Sequence, residues 1–329
     1  MNIICFDLEG PLSPQDNAYE LMKLFPNGDK VFEVISRYDD LLTLEGREDY
    51  EPGDTLALIA PFLVYHKLKE KDIISLAEKA NLTRGAFELI SQAKSQGWQV
   101  FCISTSYEQY ALRITQRLDI PTQNVKCTRF PLDRFPQLLC KEDFALLEQT
   151  EGEILGMRPF SDDGKIKRNL NRFYWEKLPQ SKLGMIIKQI KPIGGQRKVE
   201  ALEQFAQTQK QPLSRWVVIG DSITDFKMLQ RVNEAGGLAI AYNANEYALP
   251  YSTMGLASVD LTDLSEVLET WETGKRPATE NLVKSKEKIG GSGDRAYFHW
   301  LADTKNIAAP LEIHKRIRRL VREEAAKLG

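Results

Sequence analysis

The stretch IICFDLEGPL, residues 3–12, decides the fold. Ile3–Phe6 is apolar and rich in β-branched and aromatic side chains, which reads as a short buried strand. Two acids, Asp7 and Glu9, follow where that strand runs out. A carboxylate at a buried edge costs free energy unless it is paired, hydrogen-bonded or bound to a metal. These acids therefore call for one of those partners at the strand's carboxyl end, and Gly10-Pro11 lets the chain turn away.

Two further runs have the same character, Trp98–Ile103 and Trp216–Ile219, and a fourth, Leu238–Ala241, follows Gly236-Gly237. Helical periodicity lies between them, at Arg84–Gln96, Val199–Gln207 and Phe226–Val232. Strands alternating with helices predict an α/β fold, a Rossmann-like doubly wound parallel sheet. The core is expected at residues 1–12 and 85–275. Residues 13–84 are mostly helical in pattern and read as an insertion after the first strand. A second insertion of mixed polarity covers about 133–189, with a turn at Asp162-Asp163-Gly164. Residues 276–329 form a polar, partly helical C-terminal extension with a Gly-Gly-Ser-Gly break at 290–293. Tyr297-Phe298-His299-Trp300 is expected to dock this tail onto the core; the alternative is a tail folding over the site. The basic run His314–Arg319, followed by Glu323-Glu324, reads as a solvated amphipathic helix.

At 329 residues the chain has room for a full core with additions. A net charge of −2 gives no reason to expect nucleic acid or an anionic membrane as partner. Cys5, Cys102, Cys127 and Cys140 are widely spaced, without a zinc or disulfide pattern. Cys5 and Cys102 sit in strand-like runs and read as small buried hydrophobes. The first apolar run is too short for a signal peptide, and no stretch reaches the length of a membrane span. The expected setting is cytoplasmic and reducing. His66, His299 and His314 lie away from the strand ends and read as surface or packing residues.

Ligand sites in open parallel sheets lie beyond the carboxyl ends of the strands. The first strand brings Asp7 and Glu9 there, the second Ser104-Thr105-Ser106, and the third Gly220-Asp221-Ser222-Ile223-Thr224-Asp225. Lys198 opens a helix just before the third strand. Carboxylates, hydroxyls and one ammonium at one edge suit phosphoryl transfer. Mg²⁺ takes oxygen ligands from one or two carboxylates plus a substrate phosphate, and positive groups offset the developing charge. A carboxylate is also able to act as nucleophile, forming an acyl-phosphate.

The order D-x-[DE]-G … S … K … G-D-S-x-x-D resembles the four motifs of the haloacid dehalogenase-like hydrolase superfamily, and within it the phosphoserine phosphatase-like branch. The resemblance covers roughly residues 1–12 and 85–265. It implies Asp7 as nucleophile and Glu9 as general acid and then base, with the Glu9 main-chain carbonyl on Mg²⁺. Ser104, helped by Thr105, would hold a phosphate oxygen, and Lys198 would steady nucleophile and phosphate. Asp221 would ligate the metal, and Asp225 would bind a metal-bound water or orient Lys198. Residues 13–84 would be a helical cap that closes over the site.

Several positions depart from the superfamily pattern. Glu9 stands where Asp is usual, Pro11 replaces Thr or Val, and Thr224 replaces an Asn. Asp16 falls near a cap-side acid that meets the substrate amine in phosphoserine phosphatase, and reads equally as a helix N-cap. The arginine expected on the cap has no clear counterpart; Arg37 and Arg47 are the substitutes, each also readable as a surface group. The resulting expectation is an Mg²⁺-dependent hydrolase of a small phosphorylated metabolite, and a homodimer is admitted. The alternatives are a phosphotransferase that moves phosphate to an alcohol such as homoserine, and a non-catalytic binding or regulatory protein of the same fold.

Overall fold

A computed structural model of the chain describes residues 2–289, 296–304 and 306–322. The anticipated break at 290–293 and the pair Glu323-Glu324 lie outside the described residues. Seven strands form one sheet in the order β3-β2-β1-β4-β5-β6-β7. They are β1 (Ile3–Phe6), β2 (Gln99–Tyr107), β3 (Val125–Thr128), β4 (Trp216–Gly220), β5 (Leu238–Tyr242), β6 (Met254–Ala257) and β7 (Tyr297–Trp300). The first six are parallel, and β7 closes the edge antiparallel to β6. This is the expected α/β doubly wound sheet.

Central strands buried on both faces need apolar residues at every position, not at alternate ones. Along β1, Ile4 and Phe6 belong to one core layer, and Ile3 and Cys5 to the other. β4 divides in the same way, with Val217 and Ile219 on one side and Trp216 and Val218 on the other.

After β1 the chain makes four helices, α1 (Asn17–Met22), α2 (Gly28–Leu44), α3 (Thr55–Tyr65) and α4 (Glu70–Lys79). The exit and return of this segment are tied together: Thr83 N donates to Leu12 O at 2.9 Å, and Thr83 Oγ1 to Gly10 O at 3.0 Å. Helices α5 (Ala86–Ser95) and α6 (Glu108–Arg117) flank β2. The second excursion then folds as α7 (Lys141–Leu155), α8 (Asp163–Asn171) and α9 (Lys182–Ile187), which pack on α2 and α3. Tyr38 Oη donates to Asn171 Oδ1 at 2.6 Å, and Tyr174 Oη to Leu58 O at 2.7 Å. Helices α10 (Gln196–Gln209) and α11 (Phe226–Glu234) cover the face of Cys5 and Val218. The last elements among the described residues are α12 (Ser265–Ile289), β7 and α13 (Ala308–Arg322).

Two local expectations change. β2 runs on through Ser104 to Tyr107, because β3 pairs with its far end across a register shift between Ile103 and Tyr107. Helix α13 is not a solvated helix: His314, Ile317, Arg318 and Arg322 are buried, and the two arginines are only 4% and 7% exposed. The physical reason is that their charges meet a buried carboxylate of the core. The docking cluster Tyr297–Trp300 is itself strand β7, so backbone pairing with β6 anchors the tail alongside aromatic packing.

Candidate active site

Asp7 is the first residue after β1, and its amide donates to Ile219 O of β4 at 2.8 Å, which fixes it between the two central strands. Lys198, in the first turn of α10, is fully buried. Its Nζ donates to Asp7 Oδ1 at 2.6 Å and to Asp225 Oδ1 at 2.7 Å. The other Asp225 oxygen accepts the amides of Asp221 and Ser222, both at 3.0 Å. Asp225 is therefore saturated by protein donors and holds both Lys198 and the loop that carries Asp221.

Asp7, Asp221 and Asp225 each bring a carboxylate oxygen within 4.8 Å of the others. Asp221 Oδ2 accepts from Arg322 Nη1 at 2.8 Å and from Arg318 Nη1, while its Oδ1 is buried with no partner among the described residues. A buried carboxylate oxygen without a donor is costly. An all-oxygen donor set with one orphaned oxygen fits a hard divalent cation, so the residues present suit Mg²⁺. Gly10 makes this geometry possible. Its φ of +105° is the left-handed region, and a Cβ there would lie 2.5 Å from Asp221 Cγ.

Glu9 lies beside this group. Its Oε1 accepts from Ser106 Oγ and, at 3.3 Å, from the Asn17 amide. Burial pushes its carboxyl up to about 8, helped by the charge of Asp16 and opposed by the Ser106 hydrogen bond. Burial also lifts Asp7 to about 7, with Asp225 adding to the rise and Lys198 opposing it. For Lys198, burial works against the ammonium, but Asp225 and Asp7 outweigh it and keep it charged.

A cleft of about 130 Å³ opens over these residues, walled by Asp7, Glu9, Asp16, Thr105, Arg318 and Arg322 among others. Asp16 has both of its expected faces: it borders the cleft, and its Oδ1 caps α1 by accepting from the Tyr19 amide at 2.9 Å. Thr105 borders the cleft and donates to Ile193 O at 3.0 Å. Ser104 is fully buried, its Oγ accepting from the Ser106 amide at 3.1 Å, and Ser106 rather than Ser104 is among the cleft-lining residues. Arg37 is engaged elsewhere, with Asp163 at 2.6 Å, and Arg47 lies over the Trp175 ring. Neither is among the residues walling the cleft.

Sequence reading brought Ser106 to this edge without giving it a role, and it missed Arg318 and Arg322 as site residues. The signal for the arginines is their spacing. His314, Arg318 and Arg322 stand at i, i+4 and i+8, one stripe on one helical face. That stripe marks a packed face as readily as a solvated one.

No protein-family model matches the sequence, and no curated protein matches it. Among solved structures, the gene product AF1437 from Archaeoglobus fulgidus superposes with a TM-score of 0.87 at 27% identity, covering 100% of this chain and 99% of that one. A substrate-bound phosphoserine phosphatase complex superposes with a TM-score of 0.52 at 16% identity, covering 80% of this chain and 97% of that one. The chain thus has the haloacid dehalogenase-like fold of the phosphoserine phosphatase kind. Among the described residues no helix is long and apolar enough to cross a membrane.

Proposed function

We propose that the protein is an Mg²⁺-dependent hydrolase of a small phosphorylated metabolite, working through an aspartyl-phosphate on Asp7. The observation that carries this reading is the buried cluster Asp7–Lys198–Asp225, with Asp221 beside it, at the carboxyl ends of β1 and β4. Asp7 and Asp221 would hold the cation, helped by the Glu9 main-chain carbonyl. When bound, Mg²⁺ would supply positive charge to the substrate phosphate.

Asp7 attacks phosphorus as the bond to the leaving alkoxide breaks, and Glu9 gives that alkoxide its proton. A carboxyl lifted to about 8 is protonated at neutral pH, as a general acid requires. The same group, now ionised, takes a proton from the water that attacks phosphorus and frees Asp7. Lys198 orients Asp7 and stays charged throughout. Thr105, which borders the cleft, is assigned to the phosphate oxygens, with the buried Ser104 holding the Ser106 amide behind it, and Asp16 to the substrate's leaving-group side.

Residues 13–84 act in this reading as a cap that excludes water. Contacts between this segment and the core support it: Arg197 Nη2 donates to Asp54 Oδ2 at 3.1 Å, and Lys227 Nζ to Glu51 Oε2 at 2.8 Å. The longer reach of Glu9, compared with Asp, supports a second reading in which an alcohol competes with water for the acyl-phosphate.

The test is phosphate release from a panel of phosphomonoesters, with and without Mg²⁺, for the parent and for Asp7→Asn. The variant is expected to lose at least about a thousandfold in rate, since the nucleophile is gone. Equal rates would end the assignment of Asp7. Added homoserine that yields a new phosphoester would move the reading to phosphotransfer.

A further inference from the structure

Arg322 enters the cleft from a part of the chain outside the four motifs, and it is not fully used by the protein. Its Nε donates to Pro14 O at 3.1 Å, and its Nη1 to Asp221 Oδ2 at 2.8 Å. A guanidinium carries five N–H donors in a fixed fork. Among the described residues none accepts from Nη2, although the side chain is 7% exposed and lines the cleft with Asp7 and Glu9.

The electrostatics of the cleft point the same way. Asp7, Glu9, Asp16, Asp39 and Asp40 line it, and an anionic substrate entering such a wall is repelled unless cations are close. Lys198 already gives hydrogens to Asp7 and Asp225. Arg322 borders the cleft and keeps a pair of donors for an incoming anion. Planar, bidentate recognition of carboxylate or phosphate is the chemistry an arginine fork serves best.

We propose that Arg322, delivered by α13, is an anion-recognition residue of this site, so that the C-terminal extension completes the substrate pocket. The anion is an oxygen-bearing group of the substrate, either the phosphoryl itself or a carboxylate on the leaving group. This inference rests on the phosphohydrolase reading for its substrate, but its test does not use turnover.

A purely structural Arg322, one that only holds Asp221, gives a different signature from a substrate-binding one. Arg322→Gln keeps hydrogen-bonding capacity and removes one positive charge beside the proposed cation site. Loss of a nearby positive charge favours a divalent cation and disfavours an anion, so the two affinities move in opposite directions. Loss of a scaffold would lower both together.

The experiment is calorimetric titration of the full-length parent and Arg322→Gln with Mg²⁺ alone, with orthophosphate, and with glycerate, which is a carboxylate without phosphate. The expected result is at least tenfold weaker binding of one or both anions, with Mg²⁺ binding as tight as in the parent or tighter. A loss for orthophosphate alone assigns Arg322 to the phosphoryl group, and a loss for glycerate alone to the leaving group.

Should Arg322→Gln fail to fold, Arg322→Lys serves. It keeps the charge and loses the fork, so anion binding should weaken while Mg²⁺ binding holds. Unchanged anion binding, a parallel loss of Mg²⁺ and anion affinity, or a parent that binds neither anion would overturn the inference. Anion binding lost as expected in a protein that hydrolyses no phosphomonoester would sink the hydrolase reading and leave Arg322 as an anion ligand.

Discussion

Asp221 and Asp225 stand 4 positions apart after β4, yet their charges are met from different parts of the chain. Asp225 is neutralised from inside the core, by Lys198 on α10, which it shares with Asp7. Asp221 is met by Arg318 and Arg322 of α13, the first of them 97 positions downstream. The lesson is that two carboxylates in one motif need not share a solution. One is held by a cation that belongs to the motif order, the other by a helix that follows the core.

The sharpest way to break this contrast is on the Lys198 side. Lys198→Met would leave Asp7 and Asp225 facing each other in a buried site with no cation between them. Removing one partner of a buried ion pair costs about 3–5 kcal/mol. Urea unfolding should register that loss, and phosphate release should fall to background. A variant as stable as the parent would show that water or a counter-ion replaces the ammonium without cost.

The α13 side has a pH signature of its own, set by histidines rather than by carboxylates. His299 of β7 and His314 of α13 have ring centroids 5.4 Å apart. Burial lowers His299 to about 4, and burial together with His299 holds His314 well below the ordinary histidine range. A group with a depressed folded-state value stays neutral in the fold while the unfolded chain takes up the proton. Stability is therefore complete above the unfolded value of about 6.5 and is lost as pH falls toward 4. For His299 the loss amounts to about 3 kcal/mol, at roughly 1.36 kcal/mol per pH unit. Urea midpoints at pH 7.5 and pH 5 should show this decline, and His299→Gln should flatten it. An unchanged slope in that variant would move the effect to other groups.

A smaller change should act on α13 alone. A Cβ on Gly255 of β6 would lie 2.7 Å from His314 Nε2, and that ring is pinned because its Nδ1 accepts from the Ala244 amide at 3.0 Å. Gly255→Ala is expected to cost about 1–3 kcal/mol by overpacking. Hydrogen exchange should speed up in α13 while β1 and β4 remain protected. Equal loss of protection in both regions would mean that the tail and the core open together.

Much of this arrangement was legible before any fold was known. The runs at Ile3, Trp98, Trp216 and Leu238 declared buried strands, because only a strand covered on both faces tolerates such unbroken apolarity. Asp7, Glu9, Lys198, Asp221 and Asp225 were legible for a related reason: polar residues crowded at buried strand ends are expensive unless they serve one another. β3 and the length of β2 were not, since Val125–Thr128 is short and of mixed character and acquires its identity by pairing with β2. The role of Ser106 was not, because it is set by the Glu9 carboxyl it meets, 97 positions away in sequence.

Residue type and period alone were enough to specify a doubly wound sheet with acids and a lysine at its carboxyl edge. Alternation, burial cost and strand-end position are properties of neighbours in sequence. What they could not specify was which cation would meet Asp221, because ion pairing depends on distance in space and is blind to separation along the chain. His314, Arg318 and Arg322 make one stripe whether water or a carboxylate lies beneath it. Only the folding of α13 against Pro14, Asp221 and Asn243 turned that stripe into a wall of the site.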